Sequence, residues 1–477
     1  MSEIFIGNYK MEARKALKNK VLQGALADLQ NRFGRGTALA YQNLPEGPDL
    51  RLKAHEIREK AIENLDVLLE TLAANVRKNG GHVFFAENSR AAVEYCLATA
   101  RRHNVKLAVK GKSMVSEEIG LNSALLADGI DVAETDLGEY IIQLAGERPS
   151  HIIAPAIHKT RKDIGHLFTD KLGISYTDDP PRLTRAARKS LREKFLAADI
   201  GFSGCNMACA ETGHILTVSN EGNIRMSTTM PRVHVAIMGM ERVAARLADH
   251  DILLRLLCRG AAAQNMGTYA SYVGGPRYAD QNDGPDEFHL VILDNGRSRI
   301  LADEEFREML YCIRCAACLN VCPVYGKIGG HAYGHPYSGP VGAVVLPLLA
   351  GINAAKDLCQ GETLCGACQD ACPVNIDLPR MLLALRAKLA DGDPGWGVTR
   401  ASRSEKAVFK MWSWIIRSRT VYSFFLRMAA FGQKFFPTSN GMIRRLPPPF
   451  HGWTQYRDIK PLAGASFMKR WRNGDFS

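Results

Sequence analysis

The chain has 477 residues, with 46% hydrophobic and 23% charged content, which is ordinary for a globular protein of two or three domains. Its net charge of +12 sits in one place: from Arg400 to Ser477 there are 15 basic and 3 acidic residues, so the preceding chain is neutral. No nucleic-acid recognition motif accompanies that charge, no run approaches the roughly 18 apolar residues that span a bilayer, and Met1–Lys10 lacks the apolar stretch of a secretion signal. A cytoplasmic protein is expected.

Residues 1–78 read as a helical region. In His55–Asn79, Ile57, Ala61, Ile62, Leu65, Leu68, Leu69, Leu72 and Val76 recur at helical spacing, and Gly80-Gly81 ends the run. Over 79–298 short apolar runs alternate with amphipathic helices. The expected strands are Val83–Ala86, Leu107–Val109, Val132–Thr135, Ile152–Ala154, Ile200–Phe202, Ile215–Val218, Val233–Met238 and Leu290–Leu293. The expected helices are Ser89–Arg102, Val115–Ala127, Pro181–Ala197 and Glu241–Leu257. This alternation predicts an α/β domain with a mainly parallel sheet, its ligand site beyond the carboxyl ends of the strands.

Residues 299–392 change character and carry two cysteine runs. The first is Cys312-Ile-Arg-Cys315-Ala-Ala-Cys318-Leu-Asn-Val-Cys322-Pro323; the second is Glu362-Thr-Leu-Cys365-Gly-Ala-Cys368-Gln-Asp-Ala-Cys372-Pro373. The first is the C-x2-C-x2-C-x3-C-P spacing of bacterial two-cluster ferredoxins, in which the fourth cysteine ligates the other 4Fe–4S cluster. That crossing rule assigns Cys312, Cys315, Cys318 and Cys372 to cluster one, and Cys322, Cys365 and Cys368 to cluster two. Glu362 stands where the second run would have a cysteine. The fourth ligand of cluster two is therefore Cys359, an oxygen of Glu362, or none. Zinc prefers separated C-x2-C pairs, and a disulfide framework does not suit a long chain without a secretion signal. The wide gap between the runs and the apolar helix expected at Leu378–Ala390 point to an all-α ferredoxin module.

Asp391–Gly397 reads as a linker. The basic tail, 398–477, holds the aromatic-rich stretches Phe409–Ile416 and Val421–Leu426. They can pack, dock a partner, or touch an anionic membrane surface.

No phosphate loop, dinucleotide fingerprint, nucleophile elbow or H-E-x-x-H helix is present. Lys110-Gly-Lys112-Ser113 follows a strand and opens a helix, a geometry that can bind an anion. Gly204–Gly213, Asn220–Arg225 and Thr228–Pro231 are polar turns at strand ends. Cys205 and Cys209 read as small buried residues. His158, Lys159, Arg225, Arg232 and His234 are candidate carboxylate contacts if the fold gathers them. No catalytic residue is identified.

Gly111–Gly120, Glu134–Tyr140, Ala154–Lys159, Ala210–Gly213 and Asn220–Asn223 together resemble the lactate-utilisation domain. With the cysteine runs behind it, the chain from about residue 10 to 470 resembles the lactate-utilisation protein B family. The resemblance implies an iron–sulfur subunit of a three-protein system that oxidises L-lactate to pyruvate without NAD, with two partner subunits. It also implies an α/β fold shared with sugar-phosphate isomerases and CoA transferases. Family ligand positions match Cys312, Cys315, Cys318, Cys322, Cys365, Cys368 and Cys372, and Glu362 departs from those members that have cysteine there. The alternatives are an electron-transfer scaffold with the chemistry in a partner, or a subunit for another 2-hydroxy acid such as glycolate. The electron acceptor is not legible.

Overall fold

The computed structural model describes residues 8–399, 403–448, 450–455 and 457–474. The segment read for a secretion signal therefore lies outside the described residues up to position 7.

Apolar runs too long for one wet face need cover on both sides, and that requirement sets the first layer. Strands β1 (His82–Ala86), β2 (Leu107–Lys110), β3 (Asp131–Glu134) and β4 (Ile200–Gly204) come first; β5 (Met207–Cys209), β6 (Ile215–Ser219), β7 (Val233–Gly239), β8 (Val243–Ala244), β9 (Tyr269–Val273) and β10 (Glu287–Leu293) follow. Six of them form a sheet of order β1-β10-β7-β4-β2-β3, parallel throughout. The central strand β7 is buried at every position. Helix Ser89–Arg102 covers one face with Ala92, Cys96 and Ala100; Tyr140, Phe168, Leu183 and Phe195 lie in a separate core with Val109 and Ala133.

The expected parallel sheet is present, but five details of the sequence reading change. Ile152–Ala154 is not a strand: the N–H groups of Ile153 and Ala154 both donate to His151 Nδ1, and Pro155 follows. Ile215–Val218 is a strand of a second, four-stranded sheet, β8-β5-β6-β9, in which β6 pairs antiparallel on both sides. The helix expected at Val115–Ala127 breaks into Met114–Glu118 and Leu121–Ala127 at Gly120, whose φ of 68° is left-handed. The helix expected at Glu241–Leu257 begins only at Leu247 and runs to Ala262, because Glu241 is held in a buried ion pair with Arg297 and Val243–Ala244 pairs as strand β8. His55–Asn79 is likewise two helices, Gly47–Glu63 and Leu65–Lys78, meeting at Asn64.

The cysteine region is helical and irregular, without strands among its described residues. Its spine is Gly339–Ala350, ten of whose residues are buried, and Leu378–Asp391 packs with it. One continuous core joins this region, the N-terminal helices and the second sheet. Side chains stitch the same parts: Gln23 and Gln30 donate to the carbonyls of Lys327 and Cys322, at 2.6 and 2.8 Å.

The chain divides into two compact units after Thr399. In the second, helices Arg403–Arg417 and Arg419–Gly432 are followed by the small hairpin Thr438–Ser439 with Met442–Ile443, then helix Phe467–Asn473. Phe409, Trp412, Trp414, Phe424, Phe431 and Trp471 are exposed there. No described helix is long and apolar enough to cross a membrane.

Candidate metal centres and the cavity beside them

The two cysteine runs fold as copies of one another. Arg314 and Ala316 flank Cys315 with φ of 59° and 66°; Leu364 and Gly366 flank Cys365 with φ of 57° and 85°. Three of these four are not glycine, and left-handed backbone at such residues is held only by surroundings that over-determine it. A short helix follows in each run, Ala317–Val321 and Ala367–Asp370. The proline after the last cysteine has no N–H, and the next N–H groups turn onto the sulfur. Val324 and Tyr325 serve Cys322, with Tyr325 N at 3.3 Å, and Val374 and Ile376 serve Cys372. The correspondence puts Glu362 in the place that Cys312 holds in the first run.

The thiols sort into two groups. Cys312, Cys315, Cys318 and Cys372 lie close enough for charge on one to bear on the others, and Cys368 of the second group also bears on Cys318. Burial and these neighbours push Cys315 and Cys318 far up, and burial pushes Cys372 up to about 12. In the second group Cys322, Glu362, Cys365 and Cys368 line one small recess. Cys322 Sγ donates to Glu362 Oε2 at 3.2 Å, and Tyr333 OH donates to Glu362 Oε1 at 2.8 Å. Cys359 lies outside this recess: its thiol is fully buried and turns to Ala355 O at 3.7 Å. All twelve cysteines are free. Among the described residues no three sulfurs lie within 4.8 Å of one another. Sulfur donors at C-x2-C-x2-C-x3-C-P spacing suit polynuclear clusters rather than zinc. His82, Glu287 and His289 do converge so closely, but at the amino end of the sheet, where Arg102 also takes Glu287.

Buried Arg58 and Arg242 and the half-buried Arg51 hold the first group in place. Arg58 donates to the carbonyls of Val243, Leu310 and Tyr311 at 2.7, 3.1 and 3.3 Å, and to Glu241 O. Arg242 donates to Cys312 O and Ile313 O at 3.0 and 3.3 Å, and Arg51 Nη2 to Cys372 O at 2.6 Å. Burial lowers Arg58 to about 10, which leaves it cationic at neutral pH. Beneath them Arg297 pairs with Glu118 at 2.8 Å and Glu241 at 2.7 Å, and Tyr337 OH donates to Glu118 at 2.6 Å. Burial alone would raise Glu118; Arg297 overrides it and brings the carboxyl to about 2. Gly239 is required here, since a Cβ would collide with the Glu241 carboxylate and with Arg297 Nε.

A cavity of about 250 Å³ opens beyond the carboxyl ends of β2, β4, β6 and β7. Lys112, Cys205, Asn206, Ser219 and Asn223 line it from the α/β side, Glu241 and Arg242 from the turn after β7, and Arg314 and Tyr337 from the cysteine region. This is the strand-end position expected of a parallel sheet.

Of the cations proposed from sequence, Lys112 alone lines the cavity. Lys110 is buried with Glu134 at 2.8 Å and Glu117 at 2.9 Å; burial opposes its charge, but the two carboxylates keep it protonated. The proposed carboxylate group does not assemble. His158 bonds Glu147 Oε2 at 2.7 Å, and Lys159 pairs with the same carboxylate. Arg225 lies over Tyr269. Arg232 pairs with Asp286 next to the opposite end of β7. His234 is fully buried, bonded to Ser203 Oγ at 2.8 Å, and burial lowers it to about 3. Sequence reasoning missed Arg242, Arg314, Glu241 and Tyr337, which meet only across domains. The one available signal was an arginine between two cysteines of the first run.

Comparison with known proteins agrees with this arrangement. Residues 69–293 match the LUD domain, 308–376 the 4Fe-4S dicluster domain, and 395–474 the lactate utilisation protein B C-terminal region. The chain is 44% identical to lactate utilization protein B of Bacillus licheniformis over 469 residues, 98% of this chain and 97% of that one. It is also 44% identical to the proteins of that name from Bacillus cereus and Bacillus anthracis, over 95% of this chain and 94% of each of those. A solved structure of a DUF162 family protein from Deinococcus radiodurans aligns at 14% identity and a TM-score of 0.27, covering 48% of this chain and 98% of that chain. With cysteines spaced for iron–sulfur clusters and relatives matched over almost its full length, the chain belongs to the lactate utilization protein B family.

Proposed function

We propose that the chain is the electron-carrying iron–sulfur subunit of a complex that oxidises L-lactate to pyruvate. The observation that carries this reading is the interleaved donor set. Cys312, Cys315, Cys318 and Cys372 would hold one 4Fe–4S cluster, and Cys322, Cys365, Cys368 and Glu362 a second. The folding correspondence of Glu362 with Cys312 and the inward course of its carboxylate support Glu362 over Cys359 as the fourth donor. When bound, such clusters change charge by one electron each, at potentials set by hydrogen bonds to sulfur and by exposure.

This chain's own residues supply those controls. Backbone N–H groups aim at Cys322 and Cys372, and arginines 51, 58 and 242 surround the first group with positive charge that favours an anionic centre. Cys365 is exposed, so the second group is the one nearer solvent and suits exchange with a partner. Two partner subunits complete the system in this reading, and the basic aromatic tail docks one of them or rests on an anionic membrane face. In a second reading the chemistry occurs in a partner and the α/β domain is a scaffold; the lack of a flavin or nicotinamide motif favours it.

The test is anaerobic addition of L-lactate to the purified protein and to the assembled complex, followed by visible absorbance. Bleaching in the complex supports electron carriage, and bleaching of the chain alone excludes the scaffold reading. A complex that turns lactate over while its clusters stay oxidised contradicts the proposal.

A further inference from the structure

Arg314 Nη1 is a buried donor without an acceptor. The side chain is only 8% exposed; its Nη2 lies 3.5 Å from Glu241 Oε1, and its guanidinium carbon 4.6 Å from the Tyr337 ring centre. An unmet N–H of a buried cation is costly, and few survive in folded proteins without a ligand or water to meet them. Its neighbours are spent: Arg58 and Arg242 give their N–H groups to backbone carbonyls. Glu241 cannot neutralise Arg314 alone, because the same carboxylate serves Arg297 at 2.7 Å.

Arg314 lines the strand-end cavity, and so does Lys112, whose Nζ uses one N–H on Ile153 O at 2.8 Å and keeps two. The cavity thus has three cations, of which Arg242 is spent on backbone carbonyls, one unmet donor, the carboxylates of Asp136, Glu221 and Glu241, and amide and hydroxyl groups from Asn206, Asn223 and Ser219. Its volume of about 250 Å³ has room for a small acid.

We propose that this cavity binds a small 2-hydroxy or 2-oxo monocarboxylate, with the carboxylate on Arg314 and Lys112 beside it. Arg314 sits between Cys312 and Cys315, so the bound acid lies against the loop of the first cysteine group. The proposal rests on the lactate-oxidation reading and adds to it a place and an anchor.

The experiment uses the anaerobically purified full-length holoprotein, titrated with L-lactate, pyruvate and inorganic phosphate by calorimetry, and the assembled complex for its KM. Arg314→Gln is expected to weaken lactate and pyruvate about tenfold or more at unchanged iron content. Lys112→Gln, outside the cysteine runs, gives a smaller loss in the same direction and decides the matter if Arg314→Gln loses iron. Unchanged affinity and KM in Lys112→Gln and in an iron-replete Arg314→Gln overturn the assignment, as does tighter binding of phosphate than of either acid. A wild-type complex that oxidises lactate while the holoprotein binds neither acid also overturns it and leaves the electron-carrying reading standing. Pyruvate binding lost in the variants, with clusters that lactate never reduces, supports the site and sinks that reading instead.

Discussion

Glu362 Oε2 lies 3.2 Å from the Cys322 sulfur, although 40 residues separate them. The contact closes the second donor group across the two runs, and Tyr333 fixes the other carboxylate oxygen. Glu362→Ala is expected to leave the second cluster with an open iron, seen as a three-iron signal in oxidised samples by electron paramagnetic resonance. Glu362→Cys retains the full iron content. Cys359→Ser changes neither iron nor spectrum, because that thiol is turned toward Ala355 O; loss of iron in that variant contradicts the assignment.

The Arg297 network is the main polar link beneath the cavity. Arg297→Met leaves Glu118 as a buried carboxylate without an ion-pair partner and Glu241 with Arg314 alone, which costs about 3–5 kcal/mol. Tyr337→Phe removes one hydrogen bond to a charged group and costs about 1.5–3 kcal/mol. Denaturant unfolding of the holoprotein measures both; equal, sub-kilocalorie effects refute the network's role. The same network has a pH signature. With Glu118 held at about 2 against an ordinary 4.5, its stabilisation is complete above the ordinary value and drains away as pH falls toward 2.

Glu139 behaves oppositely. Burial, with Glu134 nearby, raises it to about 8, so it keeps its proton where the unfolded chain has lost it. Its contribution to stability therefore falls as pH rises from about 4.5 to 8. Glu139→Gln is expected to flatten that slope: the Tm difference between variant and parent grows in the variant's favour from pH 5 to pH 8. A constant difference contradicts the shift.

Much of the chemistry was legible because cysteine spacing encodes the wrap of a chain around a cluster, and a periodic apolar pattern encodes burial. The parallel sheet and the iron–sulfur character of the cysteine runs could be read that way. The cavity could not. Arg242 and Arg314 are unremarkable in sequence and acquire meaning only where the turn after β7 meets the first cysteine run. His234 and Arg232 stand at the amino end of β7, away from the cavity, and periodicity does not tell what pairs with a residue there. Helix ends were misplaced where one residue overrode the pattern, as Gly120 does with its left-handed backbone and Asn64 between two helices.

All seven cysteines and Glu362 lie before Thr399, where the first compact unit ends. Removing residues 400–477 is therefore expected to leave iron content per chain unchanged while impairing assembly of the complex. Iron analysis and size-exclusion chromatography with the partner subunits check this; loss of iron in the truncated chain contradicts it.

The most direct measurement is iron and acid-labile sulfide in protein purified without oxygen. The account requires about eight of each per chain, the complement of two 4Fe–4S clusters. About four of each, or zinc in place of both, would contradict it.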